Sequence, residues 1–122
     1  MSSDPYSPLV RSLFSTTPHA GDLPGATCVS ADAQGVKVQL AASAAGDIIT
    51  ALRWKAWGCP HFLAATEAFC AEYEGGTAAG LLEFSAGDLM NELAVPVTKT
   101  GRILVLEDAV RSLGQAIRDG SA

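Results

Sequence analysis

The hydrophobic period of the chain changes from two to 3.6 at Gly58-Cys59-Pro60. Before this point, Val36, Val38 and Leu40 alternate with polar residues, a pattern typical of a half-buried strand. After it, apolar residues recur every three or four positions from Phe62 to Tyr73, which predicts an amphipathic helix. Strands and helices that are segregated in this way predict an α+β fold.

Short glycine-containing turns separate the strand-like segments. We predict a weak strand at 27–30, a second at 36–41 and a third at 48–56, joined by turns at 31–35 and 44–47. Such short connections require antiparallel pairing, because parallel strands need a long crossover. In the third strand, strict alternation predicts one shared face made of Ile48, Thr50, Leu52, Trp54 and Ala56.

The rest of the chain predicts helices packed on one face of this small three-stranded antiparallel sheet. The predicted helices span 5–14, 60–73, 78–84, 86–93 and 100–118, with 95–97 extended and 119–122 frayed. The last helix has a clean apolar stripe that runs from Ile103 to Ile117.

Length and charge narrow the functional classes. At 122 residues, the chain predicts a single domain, residues 1–122, with one core. The net charge of −5 argues against binding to nucleic acid or to an acidic membrane surface, both of which require a basic face. We expect no secretory signal, because no basic patch followed by an apolar run is present in residues 1–5, and no membrane-spanning helix, because no apolar run of about 18 residues occurs. Three cysteines, an odd number, predict free thiols in a reducing cytoplasm.

Cys59 is the residue most able to carry chemistry. Pro60 suits the first position of a helix, which places Cys59 at or next to its N-cap. The positive end of the helix dipole favours a thiolate, which can bind a metal or act as a nucleophile. A small buried capping residue is the alternative interpretation.

The other candidate side chains give weaker signals. His61 could present its imidazole to whatever Cys59 binds, or be an exposed polar residue. Cys70 lies on the apolar stripe and is predicted to pack in the core, as is Cys28 in its weak strand. No zinc-ribbon spacing, phosphate loop or nucleophile elbow is present. An enzyme with Cys59 as nucleophile and His61 as base lacks an obvious orienting carboxylate, so we do not expect an enzyme.

Several motifs, in order along the chain, resemble the NifU/IscU family of iron–sulfur cluster scaffolds. The strongest is GDIITALRWKAWGC, from Gly46 to Cys59. Pro18-His19-Ala20-Gly21 is similar to a loop of the family, the segment 93–99 to its chaperone-docking segment, and Glu107-Asp108-Ala109 to a motif of its last helix. Tyr6, Val10 and Phe14 resemble its early tyrosine, valine and aromatic residue. The resemblance implies the α+β layout predicted above, like that of the NifU N-terminal domain.

The resemblance also implies a ligand set that this chain keeps only in part. Family members bind a transient [2Fe–2S] cluster or zinc through three cysteines, often with an aspartate and a histidine. Cys59 matches one cysteine. The first cysteine falls near Asp32, and the last is replaced by Arg102, which cannot bind a metal. The expected ligands are therefore Cys59, Asp32 and His61.

Two classes of function follow from this reduced set. In the first, the protein is a divergent scaffold or carrier that binds iron, a [2Fe–2S] cluster or zinc through Cys59, with a cluster that could be shared across a homodimer. In the second, it is a cofactor-free accessory protein that binds a cysteine desulfurase or another assembly factor, with Cys59 at most accepting persulfide sulfur. An Hsp70-type chaperone is a further expected partner.

Overall fold

A computed structural model describes residues 7–120, apart from the side chain of Phe14. The predictions for Tyr6 and for the side chain of Phe14 lie outside the described part. Within residues 7–120, three strands are followed by most of the helices: α1 (Pro8–Ser15), β1 (Thr27–Ala33), β2 (Val36–Ala45), β3 (Ile48–Trp57), α2 (Pro60–Tyr73), α3 (Ala78–Leu82), α4 (Gly87–Glu92), a 3₁₀ turn (Val97–Lys99) and α5 (Thr100–Gly120).

The sheet is an antiparallel meander in the order β1-β2-β3. Gln34 and Gly35 close the first hairpin, and both have positive φ, as a two-residue hairpin turn requires. This turn is shorter than predicted, so β1 extends to Ala33. Gly46, also at positive φ, helps close the second hairpin.

Helices cover one face of the sheet. α5 packs under β1 and β2, while α2 packs against β3 and α1. The core between the layers includes Leu40, Phe62 and Phe69, all fully buried. The predicted three-stranded α+β fold with helices on one face is confirmed.

The predicted shared face of β3, which begins at Ile48, is wrong for its first residues. Ile48 and Thr50 are exposed, whereas Ile49 is buried. The register explains the error, because Ala44 pairs with Ile49 and Ser43 pairs with Ala51, which leaves Thr50 as the extra residue of a β-bulge. A bulge exchanges the two faces of a strand, and the inward alternation resumes at Leu52 and Trp54.

The helix boundaries differ from the predicted ones by a few residues. α5 continues to Gly120, so the prediction that it frays from Asp119 is wrong there, and residues 121–122 lie outside the described part. Val97 begins the 3₁₀ turn instead of continuing an extended segment. No helix in residues 7–120 is both long enough and apolar enough to cross a membrane.

Candidate functional site

Three segments meet at one end of the sheet: the β1–β2 turn, the β3–α2 junction and the first turn of α5. A Cβ atom on Gly58 would lie 2.7 Å from Cγ1 of Val36, so the junction packs closely against the start of β2. A Cβ atom on Gly101 would lie 3.4 Å from Oε1 of Gln34, which places α5 beside the turn. Cys59 therefore lies where loop and helix ends converge.

Cys59 is the N-cap of α2, as predicted. Its backbone is extended, and its carbonyl oxygen accepts hydrogen bonds from the amides of Phe62 (2.9 Å) and Leu63 (3.1 Å). The half-buried thiol makes no capping hydrogen bond of normal geometry. It is thus available for other chemistry.

Charges around Cys59 favour its thiolate. Partial burial alone would raise the pKa of Cys59, but the Phe62 amide, a hydrogen bond from Arg102 and the positive charges of Lys99 and Arg102 outweigh it and lower the pKa. Arg102 comes from the first turn of α5, and Lys99 precedes it by three residues. The two cations therefore favour the thiolate over the neutral thiol.

His61 is buried, which excludes the exposed-residue interpretation. Nζ of Lys99 lies 3.2 Å from Nδ1 of His61, and an ammonium group can only donate, so Nδ1 accepts. Burial, and then the Lys99 charge, lowers the pKa of His61. The Nδ1 lone pair of the imidazole is therefore engaged by Lys99 rather than offered to a metal.

Asp32 does not form a ligand group with Cys59 and His61. Its carboxylate oxygen is 3.6 Å from Nζ of Lys37, the residue it faces across β1 and β2, and both side chains are exposed. Among residues 7–120, no three histidine, cysteine, aspartate or glutamate side chains form a group able to hold a metal ion. Cys59 and His61 adjoin the same lysine, but Asp32 does not complete a ligand set with them.

The residues at this site do not fit a cluster held by one chain. Iron–sulfur clusters are held mainly by thiolates, and this site offers a single cysteine, Cys59. The permanently charged guanidinium of Arg102 lies beside that thiolate. The resemblance had placed Arg102 at the position of a ligand cysteine of the family, whereas the contribution of Lys99 was missed. Its spacing of three from Arg102 at the start of the helix was the available signal.

The other two cysteines divide between core and surface. Cys70 is fully buried, as predicted, and burial followed by the nearby Glu67 and Glu74 charges raises the pKa of its thiol. Cys28 is exposed, so the prediction of core packing is wrong for it. Residues of β1 alternate between the two sheet faces, and Val29 rather than Cys28 packs against the core.

A buried polar cluster that the sequence analysis missed lies under the loop that contains His19. Glu67 on α2 is 1% exposed and accepts hydrogen bonds from Nε1 of Trp54 (3.1 Å) and from the backbone amide of His19 (3.0 Å). Nδ1 of His19 also contacts Glu67, and its Nε2 lies 3.3 Å from Glu74. This cluster fastens the loop to α2 and β3.

Glu74 extends the cluster at the end of α2. Its carboxylate accepts from the Leu52 amide at 2.9 Å and from Arg53 at 2.8 Å. The Leu52 hydrogen bond, with those of Arg53 and His19, lowers the pKa of Glu74 despite its partial burial. The sequence carried one signal for this buried cluster. Glu67 lies on the apolar stripe of α2, four residues after Leu63 and three before Cys70.

Comparison with solved structures identifies the architecture. The chain is similar to FiSufU, a candidate iron–sulfur cluster assembly scaffold protein for the SUF system from thermophilic Fervidobacterium islandicum AW-1, with a TM-score of 0.71 and 16% identity over 88% of this chain and 94% of that one. The chain has the fold of the NifU/IscU-type scaffold proteins.

A second structure has the same scaffold fold. It is the N-terminal part of a NifU-like protein from Brucella abortus, with a TM-score of 0.61 and 14% identity over 93% of this chain and 89% of that one. No protein-family model matches the chain, and no curated protein matches it in sequence. At these identities the likeness establishes the fold, and the ligand set depends on the residues of this chain.

Proposed function

We propose that this protein serves iron–sulfur cluster assembly as a sulfur carrier, with the Cys59 thiolate as its working group. One observation carries this function: a half-buried thiol at the N-terminus of α2 lies beside Arg102 and Lys99, in a described region that offers no three-ligand metal group. The scaffold fold and the motif that ends in Cys59 support a place in the NifU/IscU family.

The proposed step is a transfer of sulfane sulfur. The Cys59 thiolate attacks the terminal sulfur of a persulfide on a donor cysteine. The S–S bond of the donor breaks, a new S–S bond forms on Cys59, and the donor leaves as a thiolate. The reaction has no net oxidation or reduction, and a thiolate stabilised by neighbouring cations is the nucleophile it requires. The protein carries the sulfur onward and acts as a carrier rather than an enzyme, in the reducing cytoplasm.

The partner that fits this step is a persulfide-bearing protein such as a cysteine desulfurase. Trp57, two residues before Cys59, is 61% exposed, and Val97 in the turn before Lys99 is 89% exposed. Large apolar side chains at a rim are typical of interaction surfaces. Val97 also lies in the segment that resembles the chaperone-docking segment of the family, so an Hsp70-type chaperone remains a candidate partner.

A second candidate function is that of a divergent scaffold or carrier that binds iron, zinc or a cluster through Cys59. The scaffold fold favours it. Asp32 and His61 would have to move to join Cys59, or a second copy or a partner would have to supply ligands, because the Asp32–Lys37 and His61–Lys99 contacts engage both side chains.

One anaerobic experiment separates the two functions. Reduced wild type, Cys59→Ala and Cys28→Ser are incubated with a cysteine desulfurase and cysteine, and mass spectrometry locates added sulfur. A parallel sample receives ferrous iron, sulfide and reductant, followed by visible absorption and metal analysis. We expect one sulfur on Cys59 in wild type and Cys28→Ser, none at that position in Cys59→Ala, and no cluster band.

The opposite pattern would replace the proposal. A cluster or bound metal that disappears in Cys59→Ala, without persulfide on the wild type, would establish the divergent scaffold instead. Cys28→Ser serves as the matched control because it removes an exposed thiol outside the converging segments.

A further inference from the structure

We propose that β1 pairs edge to edge with β1 of a second copy of this chain, antiparallel and about a two-fold axis at Ser30. The sheets of the two copies then form one continuous sheet. This pairing uses the backbone of the strand farthest from β3 and is independent of the chemistry proposed for Cys59.

The free edge of β1 carries backbone groups that have no partner in residues 7–120. The two-residue turn makes Ala33 and Val36 a hydrogen-bonded pair, and in an antiparallel ladder such pairs recur at every second residue. The N–H and C=O groups of Cys28, Ser30 and Asp32 therefore point away from β2. Within residues 7–120, no hydrogen bond to another segment occupies these groups, and all three residues are exposed.

The opposite edge of the sheet shows how this chain covers a strand. In β3, the Trp54 amide donates to the His19 carbonyl at 2.9 Å, and the Trp54 carbonyl accepts from the Gly21 amide at 2.9 Å. In the part of the chain that the structure describes, β1 has no such cover. Residues 27–33 also contain no lysine, proline or bulge, the features that commonly prevent an edge strand from pairing.

The side chains of β1 favour a second copy as the occupant of this edge. About the proposed axis, Val29 lies opposite Ala31 of the second copy on the inner face, where both residues already pack against the core of their own chain. Asp32 lies opposite Cys28 of the second copy and not opposite another carboxylate. Nζ of Lys37 is 3.6 Å from the Asp32 carboxylate, so β1 brings no net charge to the seam although the chain carries −5.

The dependence on concentration tests whether the edge pairs. Reduced wild type is studied by sedimentation equilibrium over about a hundredfold range of concentration that extends to the millimolar, and amide hydrogen exchange is measured at both ends of the range. We expect a monomer–dimer equilibrium. Exchange of the Cys28, Ser30 and Asp32 amides should slow at high concentration, because a second strand supplies their acceptors. The Ala31 amide, which pairs with β2, should be protected at both ends.

Two substitutions of Ser30 separate pairing through β1 from other modes of association. Ser30→Pro removes an outward N–H group, and Ser30→Lys places two like charges opposite each other on the axis. Each should weaken the dimer by about tenfold or more. Gln39→Lys is the matched control, because exposed Gln39 faces Ser30 from β2 and adds the same charge one strand farther from the axis. Circular dichroism establishes which variants fold, and Ser30→Lys decides the question if Ser30→Pro does not.

Asp32→Cys tests the register. Hydrogen-bonded antiparallel pairs have Cα atoms about 5.5 Å apart, which a disulfide can span. Oxidation of this variant with diamide should therefore join position 32 to Cys28 of the second copy, as peptide mass mapping would show. Wild type that stays monomeric at every concentration would overturn the pairing. A dimer that both Ser30 variants leave unchanged, or an oxidised Asp32→Cys dimer linked only through other cysteine pairs, would overturn it as well.

Discussion

Gly58 joins the end of β3 to Cys59, and the packing of this junction requires the absence of a side chain. Its backbone is not in the left-handed region, so alanine could adopt the same conformation. A Cβ atom there would nevertheless lie 2.7 Å from Cγ1 of Val36 and 3.3 Å from Cδ2 of Phe62. Since Val36 is 2% exposed and held in the core, Gly58→Ala must displace packed atoms.

The cost of Gly58→Ala can be bounded from these contacts. Overpacking of a core by a methyl group costs about 1–3 kcal/mol. Replacement of glycine by alanine returns about 0.4–1 kcal/mol because the unfolded chain loses freedom. We therefore expect Gly58→Ala to lower the free energy of unfolding by about 1–2 kcal/mol.

A double-mutant cycle with Val36→Ala tests the cause directly. Val36→Ala removes the clashing Cγ1 atom and by itself costs about 1.6 kcal/mol, from two buried methyl groups at about 0.8 kcal/mol each. In the double variant the new Cβ atom partly fills the space that Val36 leaves. The two costs should then sum to at least about 1 kcal/mol more than the measured cost of the double variant.

Urea unfolding of the four proteins, with equal m-values as the check on two-state behaviour, measures this coupling. Gly80→Ala is the control, because its Cβ atom would make only an ordinary 3.5 Å contact with Thr77 and should leave stability unchanged or raise it. Costs of Gly58→Ala and Val36→Ala that add to within about 0.5 kcal/mol would refute the packing argument.

Three further predictions follow from the ionisable groups. Cys59 should keep reacting with iodoacetamide as the pH falls below the ordinary cysteine pKa of about 8.5, where the same reaction of a cysteine peptide slows. Cys70 should stay unlabelled in the folded protein, and peptide mass mapping distinguishes the two sites. Because the folded pKa of Glu74 is lowered, its contribution to the free energy of unfolding is full above about pH 4.3 and disappears as the pH falls through the folded pKa. The free energies of unfolding of wild type and Glu74→Gln, measured in urea, should therefore converge in acid and differ near neutral pH. Glu67→Ala leaves the Trp54 indole N–H and the His19 backbone amide without their acceptor. At about 1–3 kcal/mol for each stranded donor, it should lower the free energy of unfolding in urea by about 2–6 kcal/mol, and a loss below about 1 kcal/mol would contradict the role of this carboxylate.

The fold was predictable because its strongest signals are local. The alternation in Val36 to Leu40 and the stripe from Ile103 to Ile117 each report one buried face of one element. The bulge at Thr50 was not predictable in this way, since it arises from how β3 meets β2 and leaves no mark on its own alternation. The burial of Ile49 in place of Ile48 is a consequence of pairing, not of propensity.

The candidate site was predictable only where one element defines it. Pro60 places Cys59 at the N-cap through a local rule, and that prediction is confirmed. The interaction of Lys99 with His61 joins residues 38 positions apart, and the Glu67–His19 contact joins residues 48 apart. No periodicity reports such pairs, so the contribution of Lys99 to the site and the Glu67–His19 cluster emerge only from the tertiary structure.

Fold and site chemistry depend on different residues in this protein, which explains how a scaffold architecture can accompany an altered ligand set. The core that specifies the fold consists of apolar side chains such as Leu40, Phe62 and Phe69, and none of them contributes a polar group to the site. Arg102, by contrast, is only half-buried at the start of α5, where a change of side chain disturbs little packing. A single substitution at such a position can reverse the charge preference of the site while the fold stays the same. The likeness of the fold therefore does not by itself decide the chemistry of Cys59, which depends on the side chains that surround it.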